Sequence, residues 1–182
     1  MIYPLLIPWR LVKDSESNPC DSSSTIYRRN NFNAIRTSHY PNDSAFYRYC
    51  DYYGMYVTDE ANIETHGFKP MGNLAQDPGW ENTFVSRITR MVQRDRNHAC
   101  VVFWSLGNES GRGRNLWKAR KELLKLDSSR PVCYEGGADI AQGTGLTELT
   151  DVICPMYPDV AKLVRYTTME KEDRPIVLCE YR

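Results

Sequence analysis

Short apolar runs alternate with amphipathic segments along most of the chain. The runs are continuously apolar and rich in β-branched and aromatic residues, as expected for strands that are covered on both faces. They span residues 32–38, 55–58, 101–106, 132–134, 151–156 and 175–179. Four segments with apolar residues at helical spacing lie between them. Strands that alternate with helices indicate βαβ units, so the pattern predicts an α/β fold with a parallel sheet.

Each of the four helix candidates places apolar side chains on one face. The second covers residues 80–94, and Gly54 follows the first, at the position where a glycine commonly ends a helix. The segment 138–150 is rich in Gly and Thr and predicts a loop. The other three helices are defined by Phe46, Tyr49, Cys50 and Tyr53, by Leu116, Ala119, Leu123 and Leu124, and by Val160, Leu163, Val164 and Thr167.

Chain length limits how many of these units can be present. Residues 1–30 differ from the rest, because the stretch from Asp14 to Thr25 is rich in Ser, Asp, Asn and Pro, and we expect an irregular N-terminal segment. A closed eight-stranded barrel normally takes about 250 residues, and about 150 follow this segment. We therefore expect residues 31–182 to form an incomplete TIM (β/α)8 barrel with about six of its eight units.

Composition excludes several classes of partner. Lys and Arg together number 23, as do Asp and Glu, so no net charge attracts a nucleic acid. No apolar stretch approaches the ~20 residues of a membrane helix, and the apolar first residues lack the basic flank of a signal peptide. The six cysteines form no C-x-x-C pair and lie mostly in apolar runs, which favours reduced thiols. We expect a soluble cytoplasmic protein without nucleic-acid or membrane partners.

Two carboxylates follow the ends of different strand candidates. Glu109 follows the run that ends at Leu106 and Gly107, with Asn108 between them, and Glu180 follows the last run. Parallel α/β folds place their sites at these strand ends, and glycoside hydrolysis needs two carboxylates. Taken singly, each has a structural alternative. Asn108 or Ser110 could cap the next helix with Glu109 in its first turn, and Glu180 could bond a neighbouring loop. The sequence leaves open the separation that distinguishes retention from inversion.

A second group of polar residues follows the run that ends near Thr58. Glu64 and His66 are two positions apart and can point the same way from an extended loop. With Glu109 they would offer the oxygen and nitrogen ligands that suit Mg²⁺ or Mn²⁺. The alternative is a hydrogen-bonded His–Glu pair without a metal.

Other residues near the predicted strand ends could contact a sugar. His39 closes the first run and could donate to a hydroxyl group, or it could be a structural residue of the turn before Pro41. Met156 ends the fifth run and Tyr157 follows it, where a flat or polarizable side chain can pack on a sugar face. Trp104 lies in the middle of its run, which favours core packing.

Six segments of the chain resemble glycoside hydrolase family 2, and specifically its β-galactosidases, and they occur in the same order as in that family. The resemblance covers residues 31–182. The segments are Asn-Phe-Asn-Ala-Ile-Arg-Thr-Ser-His-Tyr-Pro from Asn31, Asp-Glu-Ala-Asn-Ile-Glu-Thr-His-Gly from Asp59, Trp-Ser-Leu-Gly-Asn-Glu-Ser from Trp104, Tyr-Glu-Gly-Gly from Tyr134, Cys-Pro-Met-Tyr from Cys154 and Leu-Cys-Glu-Tyr from Leu178.

The resemblance implies a retaining double displacement on terminal β-D-galactosides. Glu109 would be the acid/base, Glu180 the nucleophile and Asn108 a contact of the sugar 2-hydroxyl. The resemblance also implies a magnesium site made by Glu64, His66 and Glu109. The residues implied for the galactose subsite are Arg36, His39, Met156 and Tyr157.

Two features depart from the family pattern. Residues 1–30 do not match what precedes the first matched strand, and the sequence stops two residues after Glu180. We therefore expect the last barrel unit and the β-rich domains of a homo-oligomeric enzyme to lie outside these residues, and the isolated chain to be unstable or inactive. Alternative functions are hydrolysis of a β-glucuronide or β-mannoside, and sugar binding without turnover.

Overall fold

The computed structural model describes residues 27, 29–137, 149–168 and 173–180. Four parallel strands form one sheet in the order β1-β2-β3-β4. They are β1 (Ala34–Arg36), β2 (Tyr56–Glu60), β3 (Val101–Ser105) and β4 (Val132–Cys133). Each lies next to its sequence neighbour, which is the order that successive βαβ units produce. The predicted parallel α/β architecture is confirmed.

Helices lie at the four predicted places, and one further short helix, over residues 73–76, was not predicted. They are α1 (Ser44–Tyr53), α2 (Asn73–Gln76), α3 (Glu81–Asp95), α4 (Arg114–Leu126) and α5 (Val160–Thr167), with 3-10 turns at Pro78–Trp80 and Glu135–Gly137. Asp43 begins α1 by accepting from the amide of Ala45, and Gly54 ends it with a φ of 68°. The prediction for Gly54 is correct, because a left-handed residue after a helix favours glycine.

The fifth and sixth strand predictions are only partly correct. Residues 151–156 and 175–179 run parallel to the sheet but make isolated bridges, Ile153 with Ile176 and Met156 with Glu180. The backbone amide of Asp151 also bonds to the carbonyl of Val132, so the first of these segments continues the sheet beyond β4. Pro155 has no amide hydrogen, which interrupts the ladder between the two bridges. Six parallel segments therefore follow one another, as the sequence predicts.

Burial at the sheet agrees with continuously apolar strands. Val57, Trp104 and Val132 are fully buried in the core between the sheet and helices α3 and α4. Trp104 is a core residue, as expected from its place in the middle of a strand, and its indole nitrogen donates to Asp127 at 2.9 Å. The five described cysteines are free and buried, as predicted, and Cys20 lies outside the described residues.

Several predictions fall on parts of the chain that the structure leaves undescribed. Of the predicted irregular segment 1–30, only residues 27, 29 and 30 are described, and most of the predicted loop 138–150 is also outside. None of the described helices has the length and apolar character needed to span a bilayer.

Candidate active site

Arg36, at the end of β1, connects the ends of several strands. Its guanidinium is buried and donates to Glu60 at 2.6 Å, to Asn108 at 2.8 Å and to Glu180 at 3.0 Å. A further bond reaches the carbonyl of Cys179 at 3.3 Å. Burial opposes the charge on this group, but Glu60 and the other acidic neighbours outweigh it and raise the pKa of Arg36. Arg36 thus holds the segments around both proposed catalytic carboxylates in one place.

Glu60 is the buried partner of Arg36, and the sequence analysis assigned it no role. Its side chain is fully buried at the end of β2. One oxygen accepts from Arg36 and from the hydroxyl of Ser105 at 2.7 Å, and the other contacts His39 at 2.8 Å. Glu60 occupies the same kind of strand end that singled out Glu109, so this rule could have identified it.

His39 lies at the mouth of the site and is about one third exposed. Its Nδ1 atom pairs with Glu60, and this hydrogen bond raises the pKa of the imidazole above its ordinary value of 6.5. The second ring nitrogen is not used by this pair, so it is free to face a ligand. The geometry agrees with the proposed contact to a sugar hydroxyl, which stays a prediction.

The pair of His39 and Glu60 predicts a pH-dependent stability. Because the folded pKa of His39 is raised, its stabilising charge pair is complete below about pH 6.5 and is lost as the pH rises through the folded pKa. We expect the free energy of unfolding of the wild type to fall over this window. In His39→Asn that fall should be smaller, as measured by urea unfolding at a series of pH values. An equal pH dependence of unfolding in the wild type and in His39→Asn would contradict a stabilising charge pair between His39 and Glu60.

The turn after β3 places Asn108 and Glu109. The amide of Asn108 donates to the carbonyl of Ile63 at 2.8 Å, and Glu64 bridges to Asn108 in parallel. Helix α4 begins only at Arg114, with Gly113 as its capping residue. The alternative in which Asn108 or Ser110 caps this helix is therefore wrong, and Glu109 lies in the turn that precedes it.

Gly107 makes this turn possible. It has a φ of 132°, and a Cβ added there would lie 2.4 Å from the carbonyl oxygen of Ile63. The close approach of the two backbones is what brings Glu64 beside Asn108.

We expect Gly107→Ala to lower the free energy of unfolding by about 3 kcal/mol, because overpacking and an unfavourable φ both contribute. Urea unfolding measures this change. Gly67→Ala is the matched control, since nothing lies within 4 Å of a Cβ at Gly67 and its φ is ordinary. Similar losses in the two variants would contradict the close-approach argument.

Glu64, His66 and Glu109 come together as the sequence predicts. Their ligand atoms all lie within 4.8 Å of one another. His66 Nδ1 contacts Glu109 Oε2, and Glu64 accepts from the amide of His66 at 3.1 Å and from Asn108 Nδ2 at 2.6 Å. Two hard carboxylates and an imidazole on the open side of the site fit a magnesium ion with water in the remaining positions. The metal itself stays a prediction.

Glu135, in the 3-10 turn after β4, is a second site residue without a role in the sequence analysis. Its carboxylate accepts the backbone amide of Glu109 at 2.5 Å. Burial raises the pKa of Glu135 to about 7. Its position after a strand end is the signal that could have identified it.

Glu180 is held from two sides at the end of the last described segment. One carboxylate oxygen accepts from Arg36, and the other accepts from the hydroxyl of Tyr157. The backbone of Tyr157 also donates to the carbonyl of Glu180 at 2.8 Å, and Met156 forms the adjoining bridge. Both predicted subsite residues of this segment therefore lie beside the proposed nucleophile.

Backbone strain marks the same region. Three described non-glycine residues have a positive φ, and two of them are Glu109 at 38° and Tyr157 at 45°. Such conformations cost of order 1 kcal/mol or more and concentrate at functional sites. The surrounding hydrogen bonds hold both residues in these conformations.

All nine predicted site residues belong to one connected network at the carboxyl ends of the parallel segments. Arg36 and Glu60 connect the residues around Glu109 to those around Glu180 and to His39, and Glu135 accepts a hydrogen bond from the backbone amide of Glu109. The nine are Arg36, His39, Glu64, His66, Asn108, Glu109, Met156, Tyr157 and Glu180. This arrangement places the carboxylates of Glu109 and Glu180, the hydrogen-bonded guanidinium of Arg36 and the candidate metal site at the same end of the sheet.

Comparisons with known proteins indicate the family of the chain. The beta-galactosidase of Erwinia tasmaniensis is 49% identical over 168 residues, which cover 86% of this chain and 16% of that protein. The beta-galactosidase of Lactococcus lactis subsp. lactis is 50% identical over 164 residues, which cover 86% of this chain and 16% of that protein. The chain thus spans about one sixth of the length of these curated relatives.

Solved structures share the fold. The beta-glucuronidase of Ruminococcus gnavus superposes with a TM-score of 0.73 at 20% identity, covering 96% of this chain and 33% of that one. A glycosyl hydrolase family 2 member from Bacteroides cellulosilyticus has a TM-score of 0.67 at 25% identity, and the match covers 87% of this chain and 21% of that one. The model of the glycosyl hydrolases family 2 TIM barrel domain matches residues 21–182. The chain therefore belongs to glycosyl hydrolase family 2, and its residues 21–182 form part of the TIM barrel domain of that family.

Proposed function

We propose that this barrel segment belongs to a retaining β-galactosidase, which releases terminal β-D-galactose by double displacement. The observation that carries the proposal is the Arg36 guanidinium, which bonds both Glu180 and the neighbour of Glu109 and so holds the two carboxylates at one mouth. Relatives that are 49–50% identical over most of this chain carry the name beta-galactosidase, which supports the choice of sugar.

In the proposed reaction the two carboxylates act in turn. Glu180 attacks the anomeric carbon while Glu109 transfers a proton to the leaving oxygen, which yields a glycosyl-enzyme ester and the free alcohol. Glu109, now ionised, then removes a proton from water as that water attacks the anomeric carbon, which breaks the bond from this carbon to the Glu180 oxygen and releases the sugar and the Glu180 carboxylate. Arg36 and Tyr157 hold the two oxygens of Glu180, and Arg36 also donates to Asn108, the residue before Glu109.

The hydrogen bonds of Arg36 exclude this residue as the partner of a glucuronide carboxylate. A glucuronide carries a carboxylate that needs a cationic partner in the site. The Arg36 guanidinium is already engaged with Glu60, Glu180 and Asn108, so it is not available for that pairing. The glucuronidases among the solved structures are 20–23% identical and support the fold alone.

Rates on matched nitrophenyl glycosides test the proposed specificity. The complete protein that contains this chain should hydrolyse the β-galactoside much faster than the β-glucuronide or the β-mannoside. A 2-deoxy-2-fluoro galactosyl reagent should leave an adduct that peptide mapping places on Glu180. Sugar binding without any adduct or turnover would instead indicate a binding module, and a preference for the glucuronide would overturn the choice of sugar.

Mg²⁺ is proposed as the cofactor, with Glu64, His66 and Glu109 as its protein ligands. When bound, the ion would supply a positive charge that orients the Glu109 carboxylate. The chain's own contribution is the hydrogen bonding of Glu64 to Asn108 and to the amide of His66, which holds this ligand in place.

Removal of one proposed ligand should weaken the magnesium dependence. We expect Glu64→Gln to raise the Mg²⁺ concentration needed for half-maximal activity by at least about tenfold, since even indirect partners of metal ligands contribute 10–100-fold. The measurement is a Mg²⁺ titration of activity after chelation. Glu122→Gln is the matched control, because Glu122 is on the surface of α4 and pairs with Lys125. An unchanged magnesium dependence in Glu64→Gln would contradict the ligand assignment.

The remaining proposals concern the whole protein. We propose a homo-oligomeric enzyme that completes the site with other domains and works in the cytoplasm. The support for the location is the set of buried free cysteines in the described residues, which suits a reducing compartment.

A further inference from the structure

A second cluster of potential ligands lies at the opposite end of the sheet from the candidate active site. Cys100 directly precedes β3, His98 lies in the turn after α3, and Asp51 is in the last part of α1. His98 Nδ1 lies 2.6 Å from Asp51 Oδ2, and the amide of Cys100 donates to Asp51 Oδ1 at 2.7 Å. None of these residues has a role in the proposed reaction.

The donor atoms of this cluster suit a zinc ion. One carboxylate oxygen, one imidazole nitrogen and one sulfur lie within 4.8 Å of one another. Tetrahedral zinc with its usual bond lengths requires ligand atoms about 3.5 Å apart, so small side-chain movements would complete the geometry. The thiol distinguishes this cluster from the Glu64, His66 and Glu109 group, because sulfur favours zinc over magnesium.

The backbone around the cluster is already held in position. The amide of His98 donates to the carbonyl of Asp95 at 2.9 Å, and the carbonyl of His98 accepts from Arg130 at 3.3 Å. The buried Cys100 thiol donates to the carbonyl of Tyr47 at 3.5 Å. The ligands therefore come from segments with fixed positions, which lowers the ordering cost of binding.

The electrostatic surroundings also permit a cation. Two arginines near the cluster each pair with their own carboxylate, Arg94 with Asp95 at 2.7 Å and Arg130 with Asp127 at 2.5 Å. Asp51 is exposed while Cys100 is buried, so an ion can enter from the Asp51 side and reach the sulfur. Solvent on that side can supply a water as the fourth ligand.

We propose that Asp51, His98 and Cys100 bind one Zn²⁺ that fastens α1 to the segment before β3. Binding forms one bond from the ion to each side chain and releases the Cys100 thiol proton to solvent. Because the site lies at the amino end of β3, away from the candidate catalytic residues, the ion has a structural role. This proposal is independent of the proposed β-galactosidase activity.

Cobalt substitution tests the proposal, because a Co²⁺–thiolate bond produces a charge-transfer absorption that carboxylate and imidazole ligands do not. The complete protein is stripped of metal and titrated with Co²⁺ in excess Mg²⁺, which occupies the other candidate site. The wild type should develop this absorption with one ion per chain, and Zn²⁺ should displace it. Zn²⁺ should also raise the unfolding temperature of the wild type.

Variants separate the proposed ligands from their neighbours. Cys100→Ser should lose the absorption, and Asp51→Asn should need at least tenfold more Co²⁺ to reach it. Cys50→Ser is the matched thiol control, since Cys50 contacts Cys100 but lies outside the three-residue group, and it should keep the absorption. Circular dichroism establishes that each variant is folded.

Three results would overturn the proposal. They are a wild type without the thiolate absorption, a folded Cys100→Ser that retains it, and a folded Cys50→Ser that loses it. If Cys100→Ser does not fold, an unchanged Co²⁺ affinity in Asp51→Asn would overturn the proposal by itself.

Discussion

Glu180→Gln is expected to lower kcat on β-galactosides by about 10⁴-fold or more, the scale that follows removal of a group that forms a covalent intermediate. Glutamine has nearly the shape of glutamate but cannot form the glycosyl-enzyme ester. Its amide oxygen can still accept from Arg36, which donates to Glu180 Oε1 at 3.0 Å in the wild type. The loss should therefore appear in kcat, with the fold of the site preserved.

Steady-state kinetics of the complete protein measures this effect, with unfolding curves to establish that the variant is folded. Asp173→Asn is the matched control, because Asp173 is an exposed carboxylate seven residues before Glu180. Its kcat should equal that of the wild type. A Glu180→Gln protein with kcat within tenfold of the wild type would exclude Glu180 as the nucleophile.

Glu109→Gln is expected to show a loss that depends on the leaving group. A general acid typically contributes 10²–10⁴-fold, and it matters most when the departing oxygen is strongly basic. We expect kcat/KM to fall by about 10³-fold for a simple alkyl galactoside and much less for a dinitrophenyl galactoside. In the pH profile of kcat/KM, the fall at high pH that reflects loss of the proton from the general acid should also disappear.

Glu135→Gln provides the comparison for this second prediction. Glu135 touches the backbone amide of Glu109 and not its carboxylate, so its removal should affect substrates with different leaving groups by a similar factor. Both variants are measured on the same series of aryl and alkyl galactosides. If Glu109→Gln also shows one uniform factor across the series, Glu109 is not the general acid.

Local sequence patterns determined most of the secondary structure. The helix predicted over residues 80–94 is observed as Glu81–Asp95, and the helix around Phe46 ends at Gly54 as expected. These segments carry apolar residues on one face and clear ending signals, so their conformations depend little on distant residues. The last two strand predictions identified the right segments, but Pro155 left only isolated bridges there, because ladder pairing needs an amide from each partner.

Motif order determined which residues belong to the site, while their contacts depended on the tertiary structure. The predicted residues lie at or after the carboxyl ends of strands, and parallel strands bring such positions to one edge. Glu60 ends β2 and Glu135 follows β4, but their importance becomes visible only through Arg36 and the amide of Glu109. Hydrogen bonds between residues 24 or more positions apart are set by strand register, which a linear pattern does not contain.

The sequence by itself therefore determined the parallel α/β class, the segments that form it and the nine candidate site residues. Only the tertiary structure decided that Arg36 joins Glu180 to Asn108 across the sheet, and that the close approach of Gly107 to Ile63 places Glu109 outside helix α4. The reason is physical. Hydrophobic periodicity and the signals that end a helix act over a few residues. Buried charge pairs, in contrast, form between distant residues whose positions are fixed by packing of the whole sheet.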